Sequence, residues 1–145
     1  DSLPPTAQVV VAELNPVVVQ WCHGPLAELS GSAVDDRRVT VVIADVASVI
    51  ARAAQPGAER FDAVIIDLYE GPHAATDAKD DPFYGSQALK VTASALSPGG
   101  VFAVWGENSD VAFEKRLTAA GFSIDRMRPG RGGLRHVVYV AQIKK

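Results

Sequence analysis

The sequence is poor in cysteine, and it lacks both an excess of basic residues and a long hydrophobic run. Its single cysteine, Cys22, excludes an internal disulfide framework and argues against a structural zinc site. A formal net charge of -3 argues against nucleic acid bound through a general basic surface. The hydrophobic runs are too short to span a bilayer, and no basic segment followed by an apolar stretch opens the chain. We therefore expect a soluble, cytoplasmic protein with no nucleic-acid or membrane partner.

The overall composition fits one globular domain. Of the 145 residues, 48% are hydrophobic and 21% are charged, a balance that supports a sizeable core. The sequence has no internal repeat and no low-complexity tract. We predict a single domain over residues 1–145.

Three hydrophobic runs that end in a carboxylate carry most of the functional information. They cover residues 8–12, 39–44 and 63–66, and they are followed by Glu13, Asp45 and Asp67. Such runs are typical of buried parallel strands, and open α/β sheets bind ligands at the carboxyl ends of their strands. We therefore expect these acids to line one edge of one sheet. Each acid also has a simpler interpretation, because a carboxylate after a strand can cap the helix that follows it.

Helix signals alternate with the strands. The predicted helices cover residues 16–23, a short stretch at 26–29, and then 46–54, 82–96 and 111–120, with Asn15, Asp45 and Ser109 as N-caps. Proline and glycine end most of these helices. The alternation predicts an α/β fold.

The second half of the chain adds further strands and a long polar segment. Residues 68–81 are too polar to pack and too many for an ordinary connection, so we interpret them as a lid. Further strands are predicted at residues 101–105, 122–127 and 136–142, and the last two flank a glycine-rich turn, which favours an antiparallel pair. We predict a mostly parallel sheet with an antiparallel C-terminal strand. His136 is interpreted as structural.

The order of these features resembles that of spermidine synthases and related polyamine aminopropyltransferases, over nearly the whole chain. These enzymes have the Rossmann-like fold of class I S-adenosylmethionine-dependent methyltransferases. The matching features are the Asn15-Pro16 helix after an acid-ended strand, the second strand with Asp45, the run from Phe61 to Asp67 with Gly71-Pro72 downstream, Phe83-Tyr84, and the run from Leu96 to Gly100.

The resemblance implies roles for the acids. Glu13 would bind the two ribose hydroxyls of the nucleoside, and Asp45 would accept a hydrogen bond from the adenine amino group. Asp67 would hold and deprotonate the attacking amine, and Glu70 would bind the polyamine. The implied co-substrate is S-adenosylmethionine or its decarboxylated form, with no metal ion. The acceptor would be an amine or another small nucleophile.

The sequence departs from this family pattern at several positions. Trp105 stands where the family has an amide that contacts substrate, and Glu70 replaces the usual aspartate. Tyr69 and Trp105 are candidates to stack on adenine or to line a substrate groove. The family's first strand and glycine-rich loop should precede Glu13, and no such motif is found there. We therefore expect the first strand of the fold to be missing and the chain to be truncated at its N-terminus.

These departures leave alternatives open. A missing central strand would expose the edges of the strands that end at Glu13 and Asp67. We expect either that these two strands pair directly or that a second copy fills the gap, and exposed edges favour the homodimer. The first hypothesis for function is a transferase that alkylates an amine or a similar nucleophile, with this chain inactive by itself. The second is a non-catalytic relative that keeps the fold and has lost cofactor binding.

Overall fold

The computed structural model describes residues 3–68, 71–73, 80–128 and 136–144. The described strands are β1 (Val9–Glu13), β2 (Val39–Ile43), β3 (Phe61–Ile66), β4 (Leu96–Gly106), β5 (Phe122–Met127) and β6 (Val137–Ile143). The described helices are α1 (Pro16–His23), α2 (Val46–Ala53), α3 (Ser86–Ala95) and α4 (Val111–Ala119), with a short 3-10 helix at Ala33–Asp35. The chain divides into two compact units, Asp1–Val49 and Ile50–Lys145, with the boundary inside α2.

The first unit contains a parallel pair of strands. β1 and β2 pair in register from Val9 opposite Val39 to Glu13 opposite Ile43. The helix α1 begins as predicted, because the Asn15 side chain accepts a hydrogen bond from the Val17 amide at 3.0 Å. Two side chains tie the end of this helix to the 3-10 helix, with 2.8 Å between His23 Nδ1 and Asp35 Oδ1.

The short helix predicted at residues 26–29 does not form. The chain there makes a series of turns, in which the Ala27 amide donates to the Gly24 carbonyl at 3.0 Å and the Ser32 amide to the Ala27 carbonyl at 2.8 Å. Gly31 and Ser32 then adopt positive φ angles of 58° and 52°. Right-handed helices need negative φ, so a helix cannot continue through these residues.

The second unit contains a four-stranded sheet in the order β3-β4-β6-β5. β3 and β4 are parallel, and β6 is antiparallel to both β4 and β5. β3, β4 and β5 therefore run in one direction and β6 in the other. This arrangement confirms the predicted antiparallel C-terminal strand and the pairing of the last two strands.

The strands form separate sheets rather than the one sheet that was predicted to carry all the acids. Within the described residues β1 pairs with β2, and β3 pairs with β4. Glu13 and Asp45 therefore follow strands of one sheet, and Asp67 follows a strand of the other. The expectation that all the acids line one sheet edge is wrong, because β1 and β3 are not joined by backbone pairing in the part of the chain described.

The core of the second unit lies on one face of its sheet. Val104 of β4 and Tyr139 of β6 are paired and buried, and the Tyr139 ring meets the Phe113 ring of α4 at a centroid distance of 5.2 Å. Alternate residues of β3 point to the opposite face, where Ile65 is 72% exposed. One face of this sheet is thus covered by helix side chains, while the other is open at β3.

Two predicted boundaries around α3 are displaced. The helix begins at Ser86 rather than at residue 82, because the Asp81 carboxylate accepts hydrogen bonds from the Phe83 and Tyr84 amides at 3.0 and 2.7 Å and closes a separate turn. β4 begins at Leu96 rather than at Val101. Leu96 already pairs with Phe61, and an irregularity follows before Ala63 pairs with Val101.

The N-cap of α4 is Asp110 rather than the predicted Ser109. The Asp110 carboxylate accepts a hydrogen bond from the Phe113 amide at 3.0 Å. The Asp110 amide donates to the Tyr139 hydroxyl at 2.6 Å, which ties the start of the helix to β6. Among the helices described, none combines the length and the apolar character needed to cross a bilayer.

The cap assignment can be tested by a matched pair of substitutions. Asp110→Ala removes the acceptor for the Phe113 amide and should lower the free energy of unfolding by about 1 kcal/mol. Ser109→Ala should change it by less than about 0.5 kcal/mol, because Ser109 is exposed and lies outside the cap. Urea unfolding followed by circular dichroism measures both values. Equal losses in the two variants would contradict the assignment.

Candidate functional site

Two carboxylates lie at one edge of the sheet in the first unit. Glu13 is the last residue of β1, and Asp45 lies two residues beyond the end of β2. The strands are parallel and in register, and the Ala44 amide extends the pairing by donating to the Glu13 carbonyl at 3.1 Å. The sequence prediction that Glu13 and Asp45 lie at the same sheet edge is therefore confirmed.

Each of these carboxylates also makes a local hydrogen bond. The Asn15 amide donates to Glu13 Oε1 at 2.7 Å, and the Ala47 amide donates to Asp45 Oδ1 at 2.8 Å, in the first turn of α2. The second oxygen of each carboxylate has no hydrogen bond within the described residues. The backbone thus orients both groups and leaves an acceptor on each. Such acceptors suit hydroxyl and amino donors of a nucleoside.

A different set of side chains lies at the carboxyl edge of the second unit's sheet. Asp67 follows β3 directly, and the last pair in the β3–β4 register is Ile66 opposite Val104. One step further, this register sets Asp67 opposite Trp105. Because Ile66 and Val104 belong to the buried face, alternation assigns Asp67 and Trp105 to the other face. Asp67 is exposed and Trp105 half-buried.

His136 contacts the indole at this edge. The centroids of the Trp105 and His136 rings are 5.2 Å apart, and their planes are inclined by 35°. His136 precedes β6, and Val138, two residues later, is the partner of Trp105 across the β4–β6 pair. The sequence indicated only a structural role for this histidine. No motif marks position 136, and its contact with Trp105 follows from strand register alone.

The segment after Asp67 returns to the same edge at Gly71. Gly71 and Pro72 are buried, whereas His73 is exposed. A β-carbon on Gly71 would lie 2.6 Å from the Trp105 carbonyl oxygen and 2.7 Å from the Gly106 α-carbon. These distances are shorter than any ordinary contact, so the main chain of residue 71 rests directly on the end of β4. A glycine is required at this point of the segment predicted as a lid.

The pKa of Tyr84 is affected by the negative charges in this region. Burial, together with the negative charges of Asp81 and Asp67, raises the pKa of Tyr84 to about 12. The phenol therefore stays protonated and neutral at physiological pH. Arg116 Nε donates a hydrogen bond to the Tyr84 carbonyl at 3.0 Å and so ties this turn to α4.

The remaining predicted site residues, Tyr69 and Glu70, lie outside the described residues. Where the chain is described, no group of three or more histidine, cysteine, aspartate or glutamate side chains could hold a metal ion. A shallow groove of about 560 Å³ runs between the end of α2 and α3, lined by alanine, serine and glutamine side chains with Val91 and Lys90. It contains no carboxylate and shares no residue with either strand edge, so it is not the site predicted from the sequence.

Sequence comparisons identify relatives for most of the chain. The model of the spermine/spermidine synthase domain matches residues 3–119. A polyamine aminopropyltransferase from Mycobacterium tuberculosis (strain ATCC 25618 / H37Rv) is 36% identical over 101 residues, which are 70% of this chain and 18% of the relative. Putrescine N-methyltransferase 2 from Nicotiana tabacum is 32% identical over 105 residues, which are 72% of this chain and 27% of the relative. The chain thus spans well under a third of the length of these relatives.

Solved structures show the same fold. Human methyltransferase-like protein 13 in complex with SAH superposes with a TM-score of 0.73 at 20% identity, over 97% of this chain and 63% of the other. Spermidine synthase from Thermotoga maritima superposes with a TM-score of 0.64 at 19% identity, over 94% of this chain and 46% of the other. These likenesses confirm the predicted Rossmann-like methyltransferase fold.

The contact of residue 71 with β4 leads to a stability prediction. Gly71→Ala should lower the free energy of unfolding by about 1–3 kcal/mol, because the added methyl group meets backbone atoms that cannot move aside without shifting the strand end. Urea unfolding measures the loss, and in a Trp21→Phe background the fluorescence of Trp105 reports whether the strand end moves. Unchanged stability together with unchanged fluorescence would show that residue 71 does not rest on β4.

Proposed function

Because the chain belongs to the spermine/spermidine synthase family, we propose that the protein in its full length acts as a transferase that alkylates an amine or a similar small nucleophile. The alkyl donor in this proposal is a sulfonium nucleoside, either S-adenosylmethionine or its decarboxylated form. The observation that carries the proposal is the position of the family's acids, since Glu13, Asp45 and Asp67 all lie at the carboxyl ends of parallel strands. Carboxylates at strand ends are where α/β folds place ligand contacts.

Glu13 and Asp45 are proposed to hold the nucleoside. Each has one oxygen fixed by a backbone amide and a second oxygen without a partner in the described residues. In the proposal Glu13 accepts hydrogen bonds from the ribose hydroxyls, and Asp45 accepts one from the adenine amino group. When bound, the sulfonium nucleoside supplies a carbon atom activated by its bond to positively charged sulfur. The fixed carboxylates reduce the ordering that binding requires.

Asp67 is proposed to receive a proton from the acceptor. An amine is an ammonium ion at neutral pH and has no free electron pair until that proton leaves. The exposed Asp67 carboxylate attracts the ammonium, and it accepts the proton when the nitrogen is held within hydrogen-bonding distance. The neutral Tyr84 phenol adds no competing negative charge.

The acceptor side of the proposed site is lined by Trp105, with Tyr69 and Glu70 assigned there from their positions just after Asp67 in the sequence. An indole in place of an amide should make this side narrower and more apolar. The names of the relatives support an amine acceptor, since one is a polyamine aminopropyltransferase and the other a putrescine N-methyltransferase. They also leave both forms of the donor open. A homodimer and a cytoplasmic location stay predictions.

A non-catalytic relative is the second candidate. It is favoured by the local hydrogen bonds of Glu13 and Asp45, which give both acids a structural role without any ligand. Substitutions that separate the structural role from the ligand role can distinguish the candidates.

The nucleoside assignment predicts a loss of binding. Glu13→Gln should weaken the binding of methylthioadenosine, measured by calorimetry, by about 1–3 kcal/mol, because a charge-assisted hydrogen bond is lost. Asp45→Asn should weaken binding while the helix cap survives, since asparagine is a good N-cap, whereas Asp45→Ala should also lower stability by about 1 kcal/mol. Unchanged affinity in the first two variants would remove the assignment. Absence of binding to the unsubstituted protein would favour the non-catalytic candidate.

The assignment of Asp67 predicts a loss of turnover. Asp67→Asn should lower kcat by about 100-fold or more, because the amide cannot accept the proton. Asp62→Asn is the matched control, since Asp62 is an exposed acid at the other end of β3. A panel of amines with each donor, analysed by mass spectrometry, measures the rates and identifies the group transferred. Full activity of Asp67→Asn would refute the catalytic role, and efficient aminopropylation of putrescine would refute the altered acceptor side.

A further inference from the structure

The contact between Trp105 and His136 has no part in the proposal above. Their rings are 5.2 Å apart and inclined by 35°, within the range of favourable aromatic pairs. Neither family resemblance nor local sequence pattern accounts for a histidine at this place. Trp105 lies in β4 and His136 immediately before β6, so the contact is long-range.

Strand register explains why the rings meet. Trp105 pairs with Val138 in the antiparallel β4–β6 pair, and His136 lies two residues before Val138. Residues two apart share a face of the strand, which makes His136 the diagonal neighbour of Trp105. Diagonal neighbours across an antiparallel pair are within reach of aromatic side chains.

The imidazole is held by ring contact rather than by polar contact at Nδ1. This nitrogen is shielded from solvent and has no hydrogen bond within the described residues. A buried nitrogen without a partner disfavours folding, so the ring stays in place because other contacts compensate for it. The indole of Trp105 supplies such a contact. The two rings therefore pack against each other at this edge of the sheet.

We propose that His136 is a positioning residue that fixes the Trp105 indole beside Asp67 and so sets the shape of the acceptor side. This inference rests on the proposed function, in which Asp67 receives the proton of the acceptor. A fixed indole presents a preformed wall, whereas a rotating indole would have to be ordered by each acceptor that binds. The effect of His136 therefore falls on acceptor binding rather than on the proton transfer.

Two substitutions separate a ring contact from other roles. His136→Leu introduces an apolar side chain of similar size and removes the flat ring. His136→Phe keeps the ring and replaces the unpartnered nitrogen by carbon. We expect His136→Leu to raise KM for the acceptor about 3- to 10-fold with kcat nearly unchanged. We expect His136→Phe to retain the KM of the unsubstituted protein.

A fluorescence measurement tests the ring contact without any turnover. The chain contains two tryptophans, so a Trp21→Phe background leaves Trp105 as the sole emitter. In that background, His136→Leu should make Trp105 more accessible to acrylamide quenching, and His136→Phe should leave the quenching constant unchanged. Circular dichroism establishes that each variant is folded. If His136→Leu does not fold, His136→Gln, which also lacks an aromatic ring, takes its place.

The outcomes distinguish this inference from the proposed function. Unchanged quenching in the variant without the ring overturns the inference whatever the activity. An equal rise of KM in His136→Phe and His136→Leu also overturns it, because a polar role would then be needed. Absence of turnover by the unsubstituted full-length protein with every amine would refute the proposed function instead, and quenching would still decide whether His136 fixes the indole.

Discussion

The pairing of β4 with strands on both of its sides is the constraint on which the second unit depends. Its parallel register with β3 assigns Asp67 and Trp105 to the same face, and its antiparallel register with β6 brings His136 against the indole. The main chain of Gly71 rests on the last residues of the same strand. A slip of β4 by one residue would move Trp105 to the opposite face of the sheet and away from both neighbours. The arrangement of side chains proposed for this edge therefore depends on the register of a single strand, β4.

The carboxylates of the first unit are positioned by local contacts rather than by strand register. They are oriented by backbone amides that follow them in sequence, within the turns that lead into α1 and α2. Such local contacts form whenever the turn forms, and they do not depend on distant packing. The two edges thus combine a local and a long-range way of fixing a side chain.

Much of this architecture could be predicted from the sequence, because strand ends, helix caps and glycine turns are local signals. The end of β3 before Asp67 and the Asn15 cap were found in this way. The starts of α3 and β4 were missed, since Asp81 closes a turn of its own and Leu96 pairs with a strand more than 30 residues away. The contact between His136 and Trp105 was missed for the same reason. Register between strands is a property of the whole sheet, and no short stretch of sequence contains it.

The double role of Asp45 bears on how sequences of this kind should be compared. Its carboxylate supports the first turn of α2 whether or not a ligand is present. A lineage that lost nucleoside binding would still keep an aspartate or an asparagine there, because replacing it would weaken the helix. Retention of an acid at this position therefore records selection for folding as readily as selection for activity. Asp67 has no comparable local hydrogen bond among the described residues. In such a lineage it would therefore be replaced sooner than Asp45, and its replacement would be the earlier sign that a relative had lost the activity.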